Sequence, residues 1–376
     1  MLTTTARVSS IFTVAASIAL VACGDDIVGS GASGTTASST ASATTSASGT
    51  GGGETTTTSG GDGGDGSTAG SGDSGSGGNG GAAPALPETI AAFDAASLEL
   101  PEGLVVRDDG RALIGMALTG TIELVNLSSG ARDSFGQLPE PPAGTAFMTG
   151  ITIGLDGTVY AALASFTDEV AAGIYVVPAD GGEAELFASN PEMTFPNGLA
   201  FNDEGLLYVT DSAAGAIFVI DPLGEVDLLV TDPLLAGDPG ACGAPSDSLP
   251  VGANGLFTSG NQLYVTSTDQ GVFLLFNVND GEAGPPQIIA GPDCDLAGID
   301  GVTRDYNGTY VAAVNRADQI VRISAESGEV EVVSEGGLLD FPASIAVEEP
   351  GTLVVTSFAL DGGTEGAPAL VRIPTL

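Results

Sequence analysis

The chain has 376 residues and sets 48 acidic side chains against 8 arginines, with no Lys, His or Trp. Without His there is no Ser–His–Asp triad and no His-ligated zinc or haem, and without Lys there is no Schiff base and no complete P-loop. A formal charge of −40 repels phosphate backbones, so no nucleic-acid partner is expected. What remains is oxygen chemistry, which suits hard cations such as calcium.

In chain order, residues 1–22 read as an export signal. Arg7 supplies a positive charge, and Ile11–Val21 is an apolar run too short to span a bilayer permanently. The run ends in Leu20-Val21-Ala22-Cys23-Gly24, which resembles a bacterial lipobox. That resemblance implies cleavage before Cys23 and lipidation of its sulfur, giving an exported, membrane-anchored lipoprotein on a periplasmic face or the cell surface. An ordinary secretory signal cut nearby is the plainer alternative.

Residues 23–87 are almost wholly Gly, Ser, Thr, Ala and Asp after the cysteine, with too little apolar mass to offset the entropy of folding. A disordered leash is expected, spanning roughly 40–45 Å for about 60 residues. Cys242 and Cys294 remain, in irregular Gly/Pro/Asp-rich segments. An exported compartment permits them to pair, and two free thiols are the alternative.

Residues 88–376 repeat. A polar or small residue, usually followed by Gly, precedes an apolar pair, a polar turn and a Leu-Tyr-Val-Thr-like strand. The copies begin at Glu102-Gly103, Thr149-Gly150, Asn197-Gly198, Asn254-Gly255, Asp300-Gly301 and Ala343-Ser344, at intervals of 43 to 57 residues. Six β-rich units of that period predict an all-β, six-bladed propeller, which two sandwiches would not explain. In the third unit the strands are expected at Leu199–Phe201, Leu206–Thr210, Ala216–Ile220 and Val226–Val230. The sixth unit has only three: Ser344–Val347, Leu353–Ser357 and Ala369–Ile373. Thr89–Ala95 is expected to close the ring as the fourth, removing the exposed edges.

A propeller presents the residue before each Gly to one axial space. Glu102, Asn197, Asn254 and Asp300 then offer hard oxygen donors, with Thr149 and Ser344 as pocket-lining candidates. Two carboxylates about 5 Å apart repel by roughly 3 kcal/mol at an effective dielectric of 20, so a proton or a cation must sit between them. Each Asn-Gly or Asp-Gly alone reads more readily as a turn, and it is the set at one phase of different repeats that points to a metal site. Asp211, Thr268 and Asn315 end second strands, where turn or ladder roles are expected.

The repeats, including Phe195-Pro196-Asn197-Gly198-Leu199-Ala200-Phe201 and Gly298-Ile299-Asp300-Gly301-Val302, resemble the SMP-30/gluconolactonase/LRE-like propellers. The resemblance implies a calcium or other divalent ion at the channel mouth, held by Glu102, Asn197, Asn254 and Asp300. It also implies hydrolysis of lactones or small esters, with Asp300 as ligand and catalytic base. Expected partners are a small-molecule substrate or ligand and, through the lipid, a membrane; a monomer is expected. A non-catalytic NHL-like propeller, binding a ligand or a protein, is the competing reading.

Overall fold

The computed structural model describes residues 86–243, 245, 248–359 and 367–375. The expected signal sequence, Cys23 and nearly all of the leash lie outside these residues. Among the described residues no helix is long and apolar enough to cross a membrane.

The six-bladed propeller is borne out. Blade 1 runs from the inner strand Pro101–Val106 through Arg111–Met116 and Thr121–Asn126 to Arg132–Gln137. Blade 2 is Ala146–Ile153, Val159–Ser165, Gly173–Val177 and Glu185–Ala188; blade 3 is Pro196–Phe201, Leu207–Asp211, Ala216–Ile220 and Val226–Thr231. Blade 4 comprises Ala253–Ser259, Gln262–Ser267, Val272–Asn279 and Gln287–Ala290, with the short Glu282–Ala283 beside its third strand. Blade 5 is Ile299–Arg304, Tyr310–Val314, Gln319–Ile323 and Val330–Glu335. Blade 6 has Pro342–Glu349, Thr352–Ser357 and Ala369–Pro374, completed by Glu88–Ala92 from the other end of the domain.

That closing strand pairs antiparallel with the last, Glu88 opposite Arg372 and Ala92 opposite Ala369. It stops short of the expected Ala95 because the Asp94 carboxylate accepts from Ala96 N and caps a 3-10 turn, Ala95–Ser97. Two arginines latch the closure. Arg372 bonds Glu348 and Glu88 and also donates to Leu127 O of blade 1. Arg132 bonds Glu123 and Glu99, donates to Ala92 O, and stacks over the Phe93 ring at 4.6 Å.

The core lies between blades. One apolar cluster fills each of the six seams, for example Ala162, Ile174, Leu199 and Val209 between blades 2 and 3. Large side chains such as Phe218, Phe273 and Phe276 are fully enclosed. Alternation of apolar residues along the first two strands supplies both faces of every blade, so a blade cannot bury its surface without neighbours on each side.

Candidate functional site

The inner strands begin earlier than expected, because each carries an irregularity at the repeat motif. Register shifts occur between Pro101 and Leu104, Met148 and Ile151, Pro196 and Leu199, Ala253 and Leu256, Ile299 and Val302, and Pro342 and Ile345. An extra residue at the same place in every blade re-aims the side chain before the glycine. The glycines are not turn residues: Gly103, Gly150, Gly198, Gly255 and Gly301 lie inside strands and have no positive φ. They are required by proximity. A Cβ on any of them would fall less than 3.0 Å from the carbonyl of the pre-glycine residue in the next blade, as from Gly255 to Asp300 O. The turn explanation for these pairs is therefore corrected: close backbone packing around the ring demands the Gly.

Threonines complete that inner ring. Thr266 Oγ1 donates to Asp300 O at 2.7 Å and Thr356 Oγ1 to Glu102 O at 2.9 Å, while Thr210 Oγ1 bonds Asn254 O. Thr149, expected to line a pocket, uses its hydroxyl on Pro196 O at 2.8 Å and staples blade 2 to blade 3. In blade 6 the pre-glycine phase is Ala343, buried among Leu100, Ala117 and Phe358. Ser344 sits at the glycine phase, with its N–H donating to Thr356 Oγ1 at 2.9 Å.

Three of the four expected donors are firmly brought together, and the fourth takes the same place in the neighbouring blade. The Asp300 carboxyl is pushed up to about 7: burial raises it, and hydrogen bonds from Asn315, Asn254 and the Gly301 N–H pull only partly the other way. Glu102 lies well above the usual carboxylate range, first because it is withdrawn from water and then because the Asp300 charge faces it. No protein group donates a hydrogen bond to the Glu102 carboxylate among the described residues. Asn254 Nδ2 donates to Thr268 Oγ1 at 2.9 Å and Asn197 Nδ2 to Ser212 Oγ at 3.1 Å. Neither amide oxygen has a protein partner among the described residues, and neither is sealed away, in contrast to Asn315 Oδ1.

Among the described residues no three carboxylates, thiols or imidazoles gather as a metal site. The set here is different in kind: two carboxylates that repel each other and two amides with free oxygens. Such a set fits a hard divalent cation, whose charge would relieve the repulsion and whose ligands are all oxygens.

The second strands hold what the sequence placed least well. Asp211 is a turn residue, as expected; its carboxylate accepts from the N–H groups of Phe195, Ala213 and Ala214. Thr268 and Asn315, also expected in turn or ladder roles, instead touch Asn254 and Asp300 directly; Asn315 Nδ2 lies 3.0 Å from Asp300 Oδ2. Ser212 carries no mark in the inner-strand motif at all. Counting repeat phase from the second strands as well as the first lines up Ser212, Thr268 and Asn315. Cys242 and Cys294 are disulfide-bonded with Cα atoms 5.2 Å apart. The bond joins the loops that lead into the inner strands of blades 4 and 5, hence to Asn254 and Asp300.

No protein-family model and no curated protein matches the sequence. Solved structures do match. A luciferin-regenerating enzyme aligns at 16% identity and TM-score 0.58, covering 78% of this chain and 96% of its own. A calcium-binding protein, regucalcin, from Agrobacterium tumefaciens aligns at 15% identity and TM-score 0.55, covering 77% and 93%. A gluconolactonase from Xanthomonas campestris gives 15% identity and TM-score 0.55 over 77% and 89%. The chain thus has the six-bladed fold of SMP-30/gluconolactonase/LRE-like propellers. At these identities the likeness is one of fold.

Proposed function

We propose that this propeller is a divalent-cation-dependent hydrolase of lactones or small esters, with calcium as the ion, displayed outside the cytoplasm on a lipid carried by Cys23. The observation that carries the reading is the pairing of Glu102 with Asp300, two carboxylates held against their mutual repulsion beside unpartnered amide oxygens of Asn197 and Asn254. These four residues would hold the ion. When bound, it supplies Lewis acidity toward an ester carbonyl and makes bound water a better nucleophile.

The chain's own groups then divide the work. Asn315 engages Asp300 at Oδ2, and the carboxylate would serve the ion as a ligand or take a proton from attacking water. The Thr266 hydroxyl holds the Asp300 carbonyl, so the base cannot drift with its strand. Phe147 and Phe195, which precede Thr149 and Asn197 by two residues, meet edge to face at 5.2 Å across blades 2 and 3. Arg316, on the turn after the second strand of blade 5, is tied to the buried Asp269.

The test is a lactone and ester panel assayed with calcium and with EDTA. Turnover that is lost on chelation and in Asp300→Ala supports the reading. Turnover untouched by both refutes it, and tight ion binding without turnover on any substrate favours the non-catalytic propeller. A gel shift on labelling with a lipid precursor, lost in Cys23→Ala, tests the anchor.

A further inference from the structure

Three side chains without an assigned role stand directly behind the donors. Ser212, Thr268 and Asn315 are each the first residue after the second strand, in blades 3, 4 and 5 respectively. We propose that they form an outer ring of positioning residues that dictates which atom each inner donor turns toward the ion. This rests on the ion-binding reading of the site under Proposed function.

Proton count decides the orientations. Thr268 has a single hydroxyl proton, and it is committed to Ile299 O at 2.9 Å. Toward Asn254 the hydroxyl can therefore only accept, and only the Nδ2 end of the amide can donate to it. Ser212 repeats the device: its proton goes to Ala253 O at 2.7 Å, so Asn197 must offer Nδ2. Reversing either amide would set two acceptors face to face. Both amide oxygens are thereby turned away from the outer ring and left for a ligand. The carbonyls that claim the hydroxyl protons belong to the following blade, so the amide orientation is set by ring closure itself.

At Asp300 the chemistry inverts, and so does the outer residue. A carboxylate accepts, so its partner must donate, and Asn315 Nδ2 does so at 3.0 Å. This orientation has a cost. Asn315 Oδ1 is buried with no hydrogen-bond partner, and it lies over Gly298, whose φ is 97° and where a Cβ would collide with it. Turning the amide over would put that oxygen against the Asp300 carboxylate, so the orphan is tolerated to keep the nitrogen where it is. In blades 1, 2 and 6 the residues at the same register position are Ala117, Ala164 and Phe358, which can orient nothing. The outer ring is polar only behind Asn197, Asn254 and Asp300.

Calorimetric titration of calcium chloride into the full chain tests this. Removing the acceptor with Thr268→Val weakens calcium roughly 10- to 100-fold, as losses behind metal ligands do. Thr268→Ser, which keeps the hydroxyl, restores affinity to within about threefold of wild type. Ser212→Ala and Asn315→Leu, in other blades, weaken binding in the same way and stand in should Thr268→Val fail to fold. Calcium bound equally by wild type, Thr268→Val, Ser212→Ala and Asn315→Leu overturns the proposal while leaving the ion site intact. Wild type that takes up no calcium overturns the ion-binding reading first, and the outer ring with it.

Discussion

Replacing Asp300 by Asn keeps its shape but removes the ability to ionise, and the consequences for stability can be worked from the structure. The Asp300 carboxyl is pushed up from 3.8 to about 7 in the folded state. Each tenfold gain in proton affinity is worth about 1.4 kcal/mol, so the raised value corresponds to roughly 4 kcal/mol at most. The folded state binds this proton more tightly than the unfolded chain. Stability linked to it is therefore complete below pH 4 and drains away as pH rises from 4 through 7. In EDTA, Asp300→Asn should match wild type near pH 4 and exceed it by about 2–4 kcal/mol at pH 8. Glu102 adds to the gain, since its neighbouring charge is gone. Urea unfolding of both proteins across pH 4 to 8 measures the difference directly, and calcium should stabilise wild type but not the variant. A difference that stays flat over that range would refute the claim that burial inside the ring holds the Asp300 carboxyl near 7.

Gly255→Ala forces a methyl against Asp300 O and should destabilise by about 1–3 kcal/mol or more, read as a fall in thermal midpoint. A saturating ion raises stability in proportion to its excess: calcium at 100 times its Kd should add about 2.7 kcal/mol to wild type. Reducing the Cys242–Cys294 bond, which closes a loop between residues 52 apart, should remove roughly 4 kcal/mol in the chain-entropy picture; a Cys242→Ser, Cys294→Ser chain with unchanged unfolding would count against it. Deleting Glu88–Ala92 exposes the edge of Ala369–Pro374 and should convert a soluble species into one that aggregates, followed by light scattering.

Much of the architecture was legible because propeller repeats are written in the sequence twice, as period and as strand patterning. Ala216–Ile220 falls where the pattern puts it, and the closing strand is recognisable from a blade left one strand short. The starts of the inner strands were not legible. A bulge leaves no compositional trace beyond a Gly, and the Gly of Asn254-Gly255 has the look of a turn while in fact it is a point of contact with the next blade. The candidate donors could be found from phase alone, since the bulge recurs in register. Their supports could not: Ser212 and Thr268 act through carbonyls 41 and 31 residues away, and such pairings exist only once the ring is closed. Thr149 shows the opposite failure, a hydroxyl at the right phase that the seam had already claimed.

The closing strand also sets which way the molecule looks. Ala92 lies beside Ala369, Ser357 and Pro342, at the end of blade 6 where inner strands begin and the donors sit; Glu88 lies toward the other end, beside Arg372. The polypeptide therefore enters the disc from behind. Strand Glu88–Ala92 runs toward the opening that carries Glu102 and Asp300, with its first residue at the far end of the blade and its last at the donors' end.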